Sequence, residues 1–171
     1  TTTFYKSFLH ATNYTSGHES RSRFLGESRI DYPDWHVEAD NRLAWFLGLL
    51  EKKHGDRAFY VHLVRKPEEV VRSFASRHAS PASIMQGFGY GILMQRGPRH
   101  PDEWIEVADM YVRTVTANIE LFLRDKSRKI RMSLEQPDKS LETLWDRANV
   151  EGDFQAALDE FQVRHNSGDK A

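Results

Sequence analysis

Residues 59–73 read F-Y-V-H-L-V-R-K-P-E-E-V-V-R-S, and this stretch decides the fold class that we expect. Its apolar beginning is typical of a strand buried on both faces of a parallel sheet. Pro67 disfavours helical geometry in the residue before it and itself suits the first turn of a helix. The stretch therefore predicts a buried strand, Arg65 at the carboxyl end of that strand, and then a helix.

The position of Arg65 indicates a binding site for an anion. In open α/β sheets, ligands bind at the carboxyl ends of the strands. A guanidinium group at that edge, with the hydroxyl of Ser73 eight residues further on, suits an anionic ligand such as a phosphate.

Composition narrows the class of protein. The chain has 171 residues, of which 39% are apolar and 29% are charged, so we expect one globular domain over residues 1–171. Residues 1–100 carry 14 Lys and Arg against 10 Asp and Glu, whereas residues 101–171 carry 10 against 15. This asymmetry places an anion site in the first half, but it is too mild for a protein that binds nucleic acid.

The sequence gives no sign of a membrane or disulfide-bonded protein. It has no apolar run of about 18 residues, no segment like a signal peptide and no cysteine. We therefore expect a cytoplasmic protein without a membrane partner.

The first part of the chain predicts a strand followed by an anion-binding loop. We expect the strand over Phe4–Thr12 and the loop over Asn13–Ser22. A strand, a loop with Gly17 and a short helix can surround a phosphate or sulfate with backbone N–H groups. The loop is not a Walker A motif, because His18 stands where lysine is required. A plain turn capped by Ser16 is the alternative.

The next predicted strand, Trp35–Ala39, carries polar residues at alternate positions. Alternation places His36, Glu38 and Asp40 on one side of the strand. A carboxylate in such a strand is costly unless it is paired or faces a site, so Glu38 is either a site residue or half of an ion pair. Asp40 is expected to cap the next helix.

The remaining patterns complete an α/β chain. We expect a buried helix over Asn41–Lys53, a long helix over Pro101–Lys126, a last strand over Arg128–Leu134 and two short helices after it. The G-F-G-Y-G sequence at 87–91 indicates either a lid or acceptor pocket, or a glycine-interrupted helix. Together these elements predict a three-layer α/β/α fold with a mostly parallel sheet of about four strands, similar to P-loop kinases.

Two of these motifs, T-S-G-H-E-S and V-H-L-V-R-K-P-E-E-V-V-R-S, resemble the nucleotide-binding elements of the sulfotransferase family. The resemblance covers about twenty residues as motif and most of the chain as topology. It implies a single domain that uses 3'-phosphoadenosine 5'-phosphosulfate (PAPS) as co-substrate and requires no metal. It also implies that Arg65 and Ser73 bind the 3'-phosphate. The residues implied to bind the 5'-phosphosulfate are Thr15, Ser16, Gly17, His18, Glu19 and Ser20.

The chain departs from this family at one position. Family loops usually carry Lys or Arg before the Ser-Gly pair, where this chain has Thr15. Either Arg21, Arg23 or His18 supplies the missing charge from another direction, or transfer is slow or absent. Transfer of a sulfuryl group to a hydroxyl or amine of a small-molecule or glycan acceptor also needs a base. We expect Glu38 in that role, with His36 or His18 as alternatives.

Two other functions fit parts of the same pattern. A P-loop kinase or NTPase would share the topology, but it would need Mg²⁺ and a lysine in the loop. A non-catalytic module that binds a nucleotide or a protein would tolerate threonine at position 15.

Overall fold

The structure is a computed structural model that describes residues 1–80, 83–96 and 100–163. Its strands are β1 (Thr15–His18), β2 (His36–Ala39), β3 (Tyr60–Val64) and β4 (Lys129–Ser133). Its α-helices are α1 (Thr2–Ser7), α2 (Leu47–Lys53), α3 (Pro67–Ser76), α4 (Ile84–Gln86), α5 (Pro101–Leu123), α6 (Asp138–Arg147) and α7 (Phe154–Asp159). Short 3₁₀ segments lie at Phe8–His10, Gly26–Arg29, Asn41–Trp45, Gly55–Arg57 and Glu160–Gln162. The chain is therefore of the α/β class.

The backbone divides into two compact units. Unit 1 comprises residues 1–64 and the chain from residue 125 onwards, and unit 2 comprises Arg65–Arg124. All four strands lie in unit 1, where they form two separate parallel pairs, β1 with β2 and β3 with β4. The predicted parallel pairing is confirmed, but the described strands form two two-stranded sheets rather than one sheet of about four strands.

The core of unit 1 is built from one apolar face of β3 and β4 and from the helices beside it. Directly opposed residues of a parallel pair point to the same side, so Val61 and Leu63 share a face with Ile130 and Met132. This face packs against an apolar cluster to which α6 contributes Leu141, Leu144 and Trp145 at helical spacing. The strand β3 is thus half-buried along its whole length, not enclosed on both faces as its apolar run predicts.

Unit 2 is built from α3, α5 and the segment between them. Pro67 occupies the first turn of α3, and two glutamates follow it at the positive end of the helix dipole. The predicted start of this helix is confirmed, as is the long helix α5. The core contains Phe88, Trp104 and Tyr111, whose side chains are all buried.

Three expectations about local structure are wrong. The predicted strand Phe4–Thr12 forms α1 and a 3₁₀ turn, because Phe4 and Phe8 lie four residues apart and bury their rings 5.2 Å from each other. The predicted loop contains β1, since Thr15–His18 pairs with β2. The predicted buried helix Asn41–Lys53 is a 3₁₀ turn followed by α2, and of α2 only Leu50 is buried.

The glycine-rich sequence at 87–91 continues α4 as a π-helical turn, Gly87–Ile92. Phe88 and Gly89 are buried in this turn, and a methyl group at Gly89 would contact Trp104 and Val107. The sequence at 87–91 is therefore helical, as one of the two alternatives predicts, and its role as a lid or acceptor pocket stays a prediction.

Candidate functional site

Polar side chains of β1 and β2 meet on one side of this strand pair. The parallel register places Thr15 opposite His36 and Gly17 opposite Glu38. Val37 and Ala39 point to the other side and pack into the core of unit 1. The predicted alternation along the second strand is therefore confirmed.

The carboxylate of Glu38 is bound by the turn that follows β1. The backbone N–H of Ser20 donates to Oε1 over 3.1 Å, and the Ser20 hydroxyl donates to Oε2. Only 5% of the Glu38 side chain is exposed. The anion that these Ser20 donors bind in the structure is thus a carboxylate of the chain itself.

A histidine links this carboxylate to the exposed hydroxyl of Thr15. His36 Nε2 lies 3.4 Å from Glu38 Oε2, and His36 Nδ1 lies 2.8 Å from Thr15 Oγ1. Tyr32 stacks on the imidazole with the ring centroids 5.8 Å apart and the ring planes within 8° of parallel. We call the hydrogen-bonded set Thr15, His36, Glu38 and Ser20 the polar array.

Electrostatics keep Glu38 ionised. Burial alone would raise the pKa of Glu38, but the hydrogen bonds from His36 and Ser20 outweigh it, so the pKa lies below its ordinary value of 4.5. Both carboxylate oxygens already accept hydrogen bonds. Glu38 is therefore better suited to stabilise a positive charge on His36 than to remove a proton from a substrate.

Gly17 permits this arrangement by having no side chain. A Cβ atom at this position would lie 2.9 Å from Oε2 of Glu38 and 3.1 Å from both Cβ and Oγ of Ser20. A larger residue would therefore push the Ser20 turn away from the carboxylate.

The other predicted loop residues face different partners. The Ser16 hydroxyl donates to the carbonyl oxygen of Tyr5, and His18 Nε2 lies 3.2 Å from the hydroxyl oxygen of Thr1. Glu19 forms an ion pair of 2.8 Å with Arg42. The side chains of Ser16, His18 and Glu19 therefore contact other parts of unit 1.

Arg21 approaches the array through Tyr32. Its guanidinium group donates to the carbonyl oxygen of Ser28 over 2.9 Å and lies 5.5 Å from the ring centroids of Phe24 and Tyr32. Tyr32 also stacks on His36. Arg21, one of the predicted cations, therefore contacts the same aromatic ring as the imidazole of His36.

The sequence interpretation missed Tyr32 and Arg29. Arg29 pairs with Asp40 in the interior, where 6% and 0% of the two side chains are exposed, and also donates to the Tyr32 hydroxyl over 3.1 Å. Burial, and next the charge of Glu38, raise the pKa of Tyr32 to about 12. The predicted cap by Asp40 is confirmed, because this side chain accepts from the N–H of Arg42.

Arg65 and Ser73 belong to unit 2. Arg65 precedes α3 and forms an ion pair of 2.6 Å with Glu69, and 46% of its side chain is exposed. Two turns further along, the Ser73 hydroxyl accepts from Arg77 over 3.3 Å. Arg77, which the sequence interpretation did not select, thus adds a second guanidinium group beside Ser73.

Within residues 1–80, 83–96 and 100–163, no three His, Asp, Glu or Cys side chains are grouped so that they could hold a metal ion. In the same ranges, every helix is too short or too polar to span a bilayer.

Comparisons with known proteins identify no family for the chain. No protein-family model, no curated protein and no solved structure matches the chain.

Proposed function

We propose that this protein is a PAPS-dependent sulfotransferase with a three-layer fold similar to P-loop kinases. The observation that carries the proposal is the order of elements around Arg65. The strand β3 is followed immediately by an exposed guanidinium group and then by a helix that begins at Pro67. An arginine at this position can form two parallel hydrogen bonds with a phosphate. Ser73 lies two helical turns further on, as the resemblance to the family requires.

The chemistry assigned to the array is removal of the acceptor proton. The acceptor oxygen or nitrogen attacks the sulfur atom, the bond between sulfur and the bridging oxygen breaks, and 3'-phosphoadenosine 5'-phosphate leaves. The acceptor group replaces the Thr15 hydroxyl at Nδ1 of His36, His36 takes the acceptor proton there, and Glu38 stabilises the resulting imidazolium. This assignment prefers His36 to Glu38 as the base, because both oxygens of Glu38 already accept hydrogen bonds.

Phosphate binding at Arg65 would require an exchange of partners. A phosphate there replaces Glu69 as the partner of the guanidinium group. An exposed ion pair of this kind contributes only about 0–1 kcal/mol, so this replacement costs little free energy. Within unit 1, an anion at Ser20 would have to displace the buried carboxylate of Glu38.

The remaining expectations belong to this proposal. The acceptor is a small molecule or a glycan, the protein is cytoplasmic, and no nucleic acid or membrane takes part. The mild charge asymmetry of the sequence supports a discrete anion site in the first hundred residues.

Binding of 3'-phosphoadenosine 5'-phosphate to Arg65→Ala tests the proposal. Loss of one charge-assisted contact of about 1.5–3 kcal/mol should weaken binding roughly 10- to 150-fold in calorimetry. Arg113→Ala is the matched control, because Arg113 also forms an i,i+4 pair in unit 2, with Asp109, and 76% of its side chain is exposed. Equal affinities of wild type and Arg65→Ala would refute the assignment of the 3'-phosphate.

Thermal shifts separate the proposed function from its rivals. Stabilisation by 3'-phosphoadenosine 5'-phosphate without Mg²⁺ supports the sulfotransferase, since a ligand that binds only the folded state raises the melting temperature. Stabilisation by ATP with Mg²⁺ would instead support the kinase. If neither nucleotide stabilises the chain, the non-catalytic module is favoured.

A further inference from the structure

The polar array places a histidine between a hydroxyl and a carboxylate. Thr15 Oγ1 lies 2.8 Å from one nitrogen of His36, and Glu38 Oε2 lies 3.4 Å from the other. A nucleophile, a base within hydrogen-bond reach, and a third group that orients the base form the arrangement that activates hydroxyl groups in acyl-transfer enzymes. In this protein the hydroxyl in that arrangement is the side chain of Thr15.

Burial increases along the array from the hydroxyl to the acid. Thr15 is exposed, 12% of the His36 side chain is exposed, and 5% of the Glu38 side chain is exposed. A substrate can therefore approach Thr15, while protein surrounds the carboxylate that orients the imidazole.

The carboxylate selects the tautomer of a neutral His36. Glu38 remains ionised at neutral pH, so the imidazole nitrogen that faces it is stabilised when it carries a proton and donates. That nitrogen is Nε2, which leaves Nδ1 without a proton. Nδ1 then accepts from the Thr15 hydroxyl, as a base must before it removes the proton. The same hydroxyl lies 3.5 Å from the carbonyl oxygen of Trp35, a longer contact than the 2.8 Å to Nδ1.

Two further contacts hold the base and the acid in place. The Ser20 N–H and hydroxyl fix both oxygens of Glu38. Tyr32 stacks on the imidazole of His36 and restricts its rotation out of the array. The base is therefore oriented before any substrate binds.

We infer that Thr15 is a nucleophile activated by His36 and Glu38, and that unit 1 cleaves activated carboxylic esters through an acyl-threonine. Oγ1 of Thr15 attacks the carbonyl carbon and its proton passes to Nδ1 of His36. The bond from that carbon to the leaving oxygen then breaks, and that oxygen takes the proton from Nδ1, directly or through solvent. Water attacks the acyl carbon and gives a proton to Nδ1; the bond from Oγ1 to the acyl carbon breaks, the carboxylic acid leaves, and Oγ1 recovers the proton from Nδ1. Glu38 and Ser20 are positioning residues. This inference does not depend on the proposed sulfotransferase activity.

Hydrolysis of p-nitrophenyl acetate by the full chain tests the inference. Release of p-nitrophenolate should fall roughly 10²–10⁴-fold in Thr15→Val and in His36→Gln, which is the contribution expected of an activated nucleophile and its base. Thr15→Ser keeps the hydroxyl and should remain active. Glu38→Gln should lower kcat while leaving KM unchanged, measured at a temperature where circular dichroism shows this variant to be as fully folded as wild type.

Two matched variants control for non-specific hydrolysis by surface groups. Thr143→Val removes an exposed threonine hydroxyl that donates to the carbonyl oxygen of Lys139. His10→Gln removes a histidine that lies 3.2 Å from a carboxylate of Glu160, a His–Glu pair outside the array. Both variants should hydrolyse the ester at the wild-type rate.

Mass spectrometry of the acetylated protein gives the second readout. One acetyl group should appear on the peptide that contains Thr15 in wild type and not in the His36→Gln variant. Equal hydrolysis by wild type and a folded Thr15→Val variant, or acetylation confined to other residues, would overturn the inference. Inactivity of a folded Thr15→Ser variant would overturn it as well, because that variant retains the hydroxyl.

Discussion

Replacing Glu38 by glutamine should destabilise unit 1 in a pH-dependent way. The carboxylate accepts hydrogen bonds from the amide and hydroxyl of Ser20 and from His36, and its side chain is 5% exposed. Glutamine keeps the size of the side chain but removes the negative charge. A hydrogen bond to a charged group contributes about 1.5–3 kcal/mol, and glutamine can still accept from Ser20.

The expected loss is therefore about 2 kcal/mol at neutral pH, within the range for one charged hydrogen bond. For a chain of this length, 1 kcal/mol shifts the melting temperature by about 2–4 °C, so Glu38→Gln should melt roughly 4–8 °C lower. Circular dichroism at a series of pH values provides the assay. Glu142→Gln is the matched control, because Glu142 lies exposed on α6 in the same unit.

The pH series tests the electrostatic origin of this difference. The pKa of Glu38 in the folded chain lies below its ordinary value of 4.5, so its stabilising contribution is fully present above that value. The contribution is lost as pH falls through the lowered folded pKa. Wild type and Glu38→Gln should therefore converge in stability in acid. A difference that stays constant down to strongly acidic pH, or no difference at neutral pH, would refute the reasoning.

Two further substitutions, each with a matched control, test interactions within unit 1. Asp40→Asn should lower the free energy of unfolding by about 3–5 kcal/mol in urea, because it leaves the buried Arg29 without its charge partner. Asparagine can still cap the next turn. An equal effect of Asp34→Asn, at an exposed position, would contradict this explanation. Gly152→Ala should cost on the order of 2–4 kcal/mol, since φ is +142° and the new Cβ would clash with backbone atoms of residues 10 and 11. Gly55 has φ +52°, and no described atom lies within 4 Å of a Cβ at this position, so Gly55→Ala should lower the free energy of unfolding by only about 1–2 kcal/mol. Comparable losses in Gly152→Ala and Gly55→Ala would exclude the clash as the cause.

The sequence predicted the elements that carry strong local signals. Pro67 after an apolar run specifies the boundary between β3 and α3, and the signal survives because it depends on backbone geometry within a few residues. The long helix α5 was equally predictable, because its apolar residues recur at helical spacing over 23 residues.

The sequence misled where a local signal was weak or ambiguous. Phe4 and Phe8 fit a strand and a helix equally well in a short apolar run. The packing of Phe8 against Phe4 and Trp145 in unit 1 favours the helix. Thr15–His18 has little intrinsic preference for a strand, since it contains glycine and polar residues. It is a strand because β2 pairs with it, which only the folded chain specifies.

The candidate site was predictable as a set of residues but not as an arrangement. Alternation correctly placed His36 and Glu38 on one side of a strand. The register that sets Thr15 beside His36 could not be read from the sequence. The two hydrogen bonds from Ser20 to the carboxylate of Glu38 could not be read from it either. Tyr32 was not predicted at the site, although it stands four positions before His36 and stacks on its imidazole.

Gly17 lies in a sequence motif that suggests phosphate binding, but a contact within the protein also explains the glycine. In T-S-G-H-E-S, a glycine before two polar residues indicates close approach of a phosphate to the backbone. In the structure the group that approaches Gly17 is the carboxylate of Glu38, bound by the amide and hydroxyl of Ser20. Internal packing thus accounts for the glycine without any ligand, and the evidence for a nucleotide therefore rests on Arg65 and the helix behind it rather than on this loop.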